Sequence, residues 1–213
     1  TIIDEMDYFG CNWPTVTAND VPDGSRTIHE LVEMWRVSSK HIQHDCFNEK
    51  QAAFYIELLD LLVGRERVVK ESPLSLCCCP ITPLQFEGPM VEGTIAAGAA
   101  NIPVMVFPMP ITGMTSPMSL FSAVIQNNAE VLAGLTIFEL AHPGRPCIYA
   151  AAACDMDMRS NACLEGSAEG LLINTASIQI AKQRYHLPTM GAMATDAYVP
   201  GSRTGTERAL NAL

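Results

Sequence analysis

Short apolar runs alternate with amphipathic segments along most of the chain. The clearest amphipathic stretch opens at Asn48, with Gln51 three residues on as in a capping box, and carries apolar residues at Ala52, Tyr55, Ile56, Leu59, Leu62 and Val63 before Gly64 closes it. That spacing places one stripe on one helix face. A second capping signature, Thr27 with Glu30, predicts another helix start. Glu87 to Ala100, rich in Gly and Ala, reads as a third helix. A fourth opens at Ser116 with Pro117 in its first turn, runs through Phe121, Val124, Ile125, Leu132, Leu135 and Phe138, and stops at "HPG". Ser167 predicts the cap of a fifth, continuing to about Tyr185.

Between these helices lie runs that read as strands: Arg36 to Ile42, Leu74 to Cys79, Pro103 to Phe107, Pro146 to Ala151 and Pro188 to Met193, with a further candidate at Met6 to Gly10. Their recurrence with helices between them suits βα units feeding a parallel sheet. No Gly-x-Gly-x-x-Gly fingerprint follows any of them, which favours a (β/α)8 TIM barrel over a dinucleotide-binding sheet. A complete barrel needs eight units. The expected fold is therefore α/β, a partial TIM barrel of about six βα units, with residues 1–213 forming one partial domain of a larger protein.

Charge narrows the partners. The 213 residues carry a formal net charge of −10, and no Lys or Arg occurs between Lys70 and Arg145, so no basic surface for a phosphate backbone is expected there. Nucleic acid is excluded as a partner on this reading. The uncharged stretch from Gly93 to Met114 is long enough for a membrane span, but Pro103, Pro108 and Pro110 interrupt it, so a buried helix and strand are expected. No basic segment followed by an apolar run opens the sequence, and the eight cysteines are irregularly spaced. Reduced thiols in a cytoplasmic protein are the expectation.

Cys77, Cys78 and Cys79 stand side by side, yet alternate residues of a strand point to opposite faces. Three adjacent thiols cannot converge on one tetrahedral zinc, and they read as core fillers at a strand end. The same alternation separates His41 and His44 of "HIQHD", which leaves Gln43 and His44 as candidates for contact with a substrate rather than with a metal. Gly113, Thr115 and Ser116 of "GMTSP" follow a strand, as do Asp157 and Arg159 of "MDMRS". In a barrel such loops gather at the C-terminal mouth, where chemistry is housed. A metal-dependent barrel lyase or hydrolase using His41, His44, Asp45 and Asp157 is a competing reading, and an inactive barrel fragment is another.

Five ordered segments carry a resemblance. "CPITPLQF" (79–86), "PMPITGMTSPMSL" (108–120), "QNNAEVLAG" (126–134), "MDMRS" (156–160) and "TDAYVPG" (195–201) together resemble the trimethylamine methyltransferase (MttB) superfamily. The resemblance implies a TIM barrel that moves a methyl group from a small methylated amine to the cobalt of a corrinoid. That cofactor would be carried by a separate cognate corrinoid protein, and the full-length enzyme is expected to form a homo-oligomer with no bound metal of its own. Trimethylamine-specific members of the family carry pyrrolysine shortly before a Ser-Asp-Ala-Lys-Val-Pro segment. Here the segment is "TDAYVP", preceded by Met193 and Ala194, and neither offers an imine. The resemblance therefore favours a quaternary amine such as a betaine, with Ala194 and Asp196 among the substrate-binding candidates and the catalytic residues unassigned. A cage for such a cation would draw on Tyr8, Phe9, Trp13, Tyr149 or Tyr198.

Overall fold

The computed structural model describes residues 2–7, 10–14, 16–192 and 194–212. In chain order the elements are α1 (Ile2–Glu5), β1 (Cys11–Asn12), α2 (Asp23–Val37), β2 (His41–Asp45), α3 (Glu49–Val63), α4 (Arg65–Lys70), β3 (Leu74–Cys78), α5 (Gly88–Gly98), β4 (Val104–Val106), β5 (Ile111–Thr112), α6 (Leu120–Ala141), β6 (Cys147–Ala151), β7 (Cys154–Asp157), β8 (Ala162–Leu164), α7 (Ala168–Ile180), a π-helical turn (Ala181–Tyr185), β9 (Thr189–Gly191) and α8 (Ser202–Ala212). Six strands form a parallel sheet in the order β1-β2-β3-β4-β6-β9, and a smaller sheet has the order β5-β7-β8. The fold class is α/β, with the strand succession of a partial TIM barrel. Among the described residues no helix is long and apolar enough to cross a membrane.

The chain divides into two compact units. The first comprises Thr1–Cys78, Gly88–Met105 and Ile137–Pro146. Its core joins Leu31 and Met34 of α2, Ile42 of β2, Ala52, Tyr55 and Leu59 of α3, Leu74 and Leu76 of β3, and Ala97 of α5. The even-numbered side chains of β2 and β3 thus face the helices, and burying each large aliphatic one contributes roughly 1.5–3 kcal/mol. The register Ile42↔Leu74 and His44↔Leu76 aligns that face across both strands. Helix α3 begins as its sequence predicts: Asn48 Oδ1 accepts the Gln51 N–H at 3.0 Å and Gln51 Oε1 accepts the Phe47 N–H at 2.9 Å. Gly93 lets α5 approach this cap, because a Cβ there would lie 2.6 Å from the Asn48 carbonyl carbon. Arg145 is buried in the same unit and donates to the carbonyls of Ile102 (2.6 Å) and Thr94 (2.7 Å).

The second unit comprises Cys79–Glu87, Val106–Thr136 and Cys147–Leu213. Ala123, Val124, Ala153 and Ile173 form a core between α6 and α7, and Ser167 Oγ caps α7 by accepting the Gly170 N–H at 3.0 Å. Tyr149 of β6 pairs with Thr189 of β9 in parallel register. Asn174 of α7 accepts the Ala153 N–H at 2.7 Å and donates to the Ala153 carbonyl at 3.1 Å, completing both polar groups of a buried residue.

Several expected boundaries move, each for a local reason. The strand placed at 36–42 begins at His41, because Met34 and Trp35 continue the apolar stripe of α2 and Ser38 then turns extended at φ −143°. The Thr27–Glu30 capping box does not form: α2 opens after Pro22, and Glu30 instead accepts the Ala18 N–H at 2.8 Å. The helix expected from Ser116 starts at Leu120, since the N–H groups of Thr115 and Ser116 both turn back to the Ile111 carbonyl at 3.0 Å. The candidate strand at 6–10 is replaced by β1 at Cys11–Asn12; two of its residues, Tyr8 and Phe9, lie outside the described residues, as does Met193. The sheet β5-β7-β8 has no counterpart in the sequence pattern.

Candidate functional site

Strand β2 separates the candidates in "HIQHD". His44 faces the helices: its Nδ1 accepts the Asp45 N–H at 2.8 Å, its ring meets Tyr55 edge-on at 6.2 Å, and its Nε2 lies 3.4 Å from Glu30 Oε2. His44 Nε2 has no hydrogen-bond partner. Gln43 occupies the opposite face, register-paired with Ser75 and 2% exposed, and its amide nitrogen also lacks a partner. His41 Nε2 lies 2.8 Å from Ser75 Oγ, so the two histidines diverge and cannot share a metal ion. Among the described residues no group of three or more His, Cys, Asp or Glu side chains could hold one.

A cavity of about 400 Å³ opens beside the end of β2, lined by Trp13, Arg26, Glu30, His44, Asp45 and Phe47 among others. Burial pushes the Asp45 carboxyl above its usual range, against the opposing pull of His44, and Glu30 adds to the rise. Of the aromatic candidates among the described residues, Trp13 lines this cavity. Tyr149 is fully buried and bonded to Asn127 and Asn128, with its hydroxyl pushed up to about 12 by burial, so it is packing rather than cage. Tyr198 is fully exposed.

In the second unit the loop after β5 is tightly determined. Gly113 sits at φ +79°, where a Cβ would strike the Met118 sulfur and lie 3.8 Å from that of Met158. Thr115 Oγ1 accepts the Ile111 N–H at 3.0 Å, and Gly113 N–H donates to the Ser116 carbonyl at 2.9 Å. Ser116 is buried with its hydroxyl oxygen unpartnered, so the residue expected as a helix cap holds an uncommitted polar group inside a loop.

Glu130, which sequence reasoning passed over, organises this region. Its carboxylate is buried and accepts from Thr82 Oγ1 (2.9 Å), the Leu84 N–H (2.9 Å) and Gln126 Nε2 (3.1 Å). Gln126 also donates to the Thr115 carbonyl at 2.9 Å. Three of the quoted segments, around 82, 115 and 130, are thereby joined. The only advance signal was the i, i+4 spacing of Gln126 and Glu130 on one helix face. Asp155, likewise unnoticed, bonds to Thr112 Oγ1 across the β5–β7 pair.

Asp157 ends β7, half-buried; hydrogen bonds from Ser160 Oγ (2.5 Å) and the Arg159 N–H (2.9 Å) pull its carboxyl below the usual range. The Met158 sulfur, close to where a Gly113 Cβ would stand, puts Asp157 and Arg159 in the neighbourhood of the Gly113 loop. Asp196 is elsewhere. It accepts the N–H groups of Glu165 (2.7 Å) and Gly166 (3.1 Å), which follow β8, whereas Asp157 pairs with Ala162 at the other end of the β7–β8 hairpin. Glu207 fixes the same segment through Thr195 Oγ1 (2.5 Å) and the Asp196 N–H (3.0 Å), holding half-buried Ala194 beside it.

A parallel sheet with helices between its strands defines a barrel-type α/β protein. The chain belongs to the trimethylamine methyltransferase (MTTB) family, whose sequence model matches residues 2–212. It is 29% identical to trimethylamine methyltransferase MttB of Methanosarcina thermophila over 214 residues, covering 99% of this chain and 44% of that protein. It is 30% identical to glycine betaine methyltransferase of Desulfitobacterium hafniense (strain Y51) over 190 residues, 88% of this chain and 40% of the relative. With proline betaine:corrinoid methyltransferase of Eubacterium limosum it shares 34% over 130 residues, 61% of this chain and 27% of that protein. The chain thus spans less than half the length of these relatives.

Proposed function

We propose that this chain is the substrate-handling part of a methyltransferase that moves a methyl group from a quaternary amine to a corrinoid carried by a separate protein. The observation behind the quaternary class is Ala194, a side chain without an electrophile in the segment where the resemblance puts pyrrolysine in trimethylamine-specific members. A neutral tertiary amine would leave as a strongly basic amide anion, whereas a quaternary ammonium leaves as a neutral amine and needs no proton donor. Two of the relatives are named for betaines.

The corrinoid supplies, when bound, the reduced cobalt nucleophile that accepts the methyl group. This chain binds, orients and desolvates the cation. In the first unit Asp45, Glu30 and the indole of Trp13 suit the ammonium, and the open Nε2 of His44 in the same cavity suits a polar group on the same molecule; the open amide nitrogen of Gln43 lies on the opposite face of β2 and offers a separate polar contact there. In the second unit Ser116 Oγ offers another uncommitted group, Gly113 and Thr115 set its loop, and Asp157, Arg159 and Asp196 act as positioning residues through their turns. Exposed Met114, Met118, Met158 and Phe121 on that unit's loops and the first turn of α6 fit the apolar edge of a macrocycle presented by a partner.

The test is the full-length enzyme with its corrinoid partner reduced to Co(I). The Co(I) absorbance should fall on adding glycine betaine or a related quaternary amine and stay level with trimethylamine. Rapid methylation from trimethylamine alone overturns the assignment.

A further inference from the structure

Cys77 and Cys78 are fully buried in β3, but one pair of cysteines stands apart from them. Cys154 opens β7 and Cys163 is the middle residue of β8. The antiparallel register Asp155↔Leu164 and Met156↔Cys163 makes the two cysteines diagonal neighbours across the ladder. Their sulfur atoms are in hydrogen-bond contact at 2.6 Å. Their exposures differ sharply: Cys163 is open to solvent and Cys154 is 5% exposed. Strand β8 lies at the end of its sheet, and its neighbour β7 carries Asp155, bonded to Thr112 beside the Gly113 turn.

We propose that Cys154 and Cys163 form a reversible redox site, a dithiol that closes to a cross-strand disulfide by exchange with a small disulfide of the oxidised-glutathione class. The Cys163 thiolate attacks one sulfur of the small disulfide; that S–S bond breaks, and one small thiolate leaves and takes a proton. Cys154 then yields its proton to solvent and attacks the Cys163 sulfur of the mixed disulfide, expelling the second small thiol. Two protein thiols are oxidised and one small disulfide is reduced to two thiols. Burial and the adjacent thiol hold Cys154 mostly protonated, so the exposed partner reacts first and the buried one resolves. Because the resolving sulfur already touches its target, the mixed disulfide is short-lived. Closure staples the end strand β8 to β7 and fixes the strand that carries Asp155 and Asp157.

The experiment equilibrates full-length protein in graded ratios of reduced to oxidised glutathione, quenches by alkylation, and maps peptides without reduction. The expected product links the peptide holding Cys154 to that holding Cys163, and it forms at a lower proportion of oxidised glutathione than any other linkage. Cys154→Ser should instead trap a stable glutathione adduct on Cys163, and Cys163→Ser should leave Cys154 as a free thiol. Wild-type protein that accumulates the adduct on Cys163 while Cys154 still alkylates, or that closes a different cysteine pair first, overturns the proposal.

Discussion

Asp45 and Asp157 each end a strand, β2 in the first unit and β7 in the second, yet their surroundings move them in opposite directions. Asp45 lines a cavity, and burial raises its carboxyl above the usual range. Asp157 lies half-buried at the surface and is drawn below that range by the Ser160 hydroxyl and the Arg159 N–H. A carboxylate that has committed its lone pairs to its own turn has little left for a ligand. One that is desolvated and short of donors gains most when a cation arrives. On the proposed reading the end of β2 binds and the end of β7 shapes.

Activity gives the largest separation between the two. In full-length enzyme, Asp45→Asn should lower kcat/KM for a quaternary amine by roughly 30-fold or more, since losing one partner of a buried charge pair costs about 2–5 kcal/mol. Asp157→Asn should change it by less than about threefold, because an asparagine can keep the turn. Steady-state methylation of the corrinoid partner measures both, and a loss at Asp157 equal to that at Asp45 would reverse the assignment of roles.

Stability sharpens the same contrast through two buried amides. Asn174 completes both polar groups of Ala153, whereas the amide nitrogen of Gln43 has no partner. Asn174→Ala strands a buried N–H and a buried carbonyl and should cost about 2–4 kcal/mol in urea unfolding. Gln43→Leu removes an unsatisfied group and should stay within about 1 kcal/mol of wild type while impairing methyl transfer. A Gln43→Leu loss as large as that of Asn174→Ala would make Gln43 a structural residue.

The sequence displayed what is local. The Asn48 and Ser167 caps, the succession of parallel strands and most of the stripe of α3 follow from spacing within a few residues and are present, although Leu62 of that stripe is exposed. Glu30 was misread because its spacing from Thr27 mimics a capping box, while its real partners are the Ala18 N–H, twelve residues away, and the neighbourhood of His44. Ser116 resembled a cap because Pro117 follows it, and only the bonds back to Ile111 show that the helix waits until Leu120. The sheet β5-β7-β8 escaped notice because strands of two to four residues carry too little alternation to register. Glu130 bonds to Thr82 across 48 residues, a link no window of sequence contains.

The pH dependence of stability should also divide the two aspartates, starting with Asp45. Its folded carboxyl titrates above the unfolded value, so its contribution is complete below the unfolded pKa and is lost as pH rises through the folded pKa. Asp45→Asn should therefore be at least as stable as wild type at neutral pH, with its lead vanishing as the pH drops below the ordinary carboxylate range. Urea midpoints across that range measure it. A lead that grows on acidification would mean that Asp45 is ionised and well paired in the folded protein.

Asp157 should give the smallest effect and the opposite sign. Its folded carboxyl titrates below the unfolded value because Ser160 Oγ and the Arg159 N–H favour the ionised form. That contribution is present above the unfolded pKa and is lost as pH falls through the folded pKa. The group lies at the surface on a turn, so water and salt screen it, and asparagine retains an acceptor for the same turn. Asp157→Asn should therefore be slightly less stable than wild type at neutral pH. The gap should narrow with added salt and close once the wild-type carboxylate is protonated. Urea midpoints for the two proteins at neutral and strongly acidic pH, with and without salt, decide it: a gap that persists in acid would show that the turn depends on the shape of the carboxylate rather than its charge.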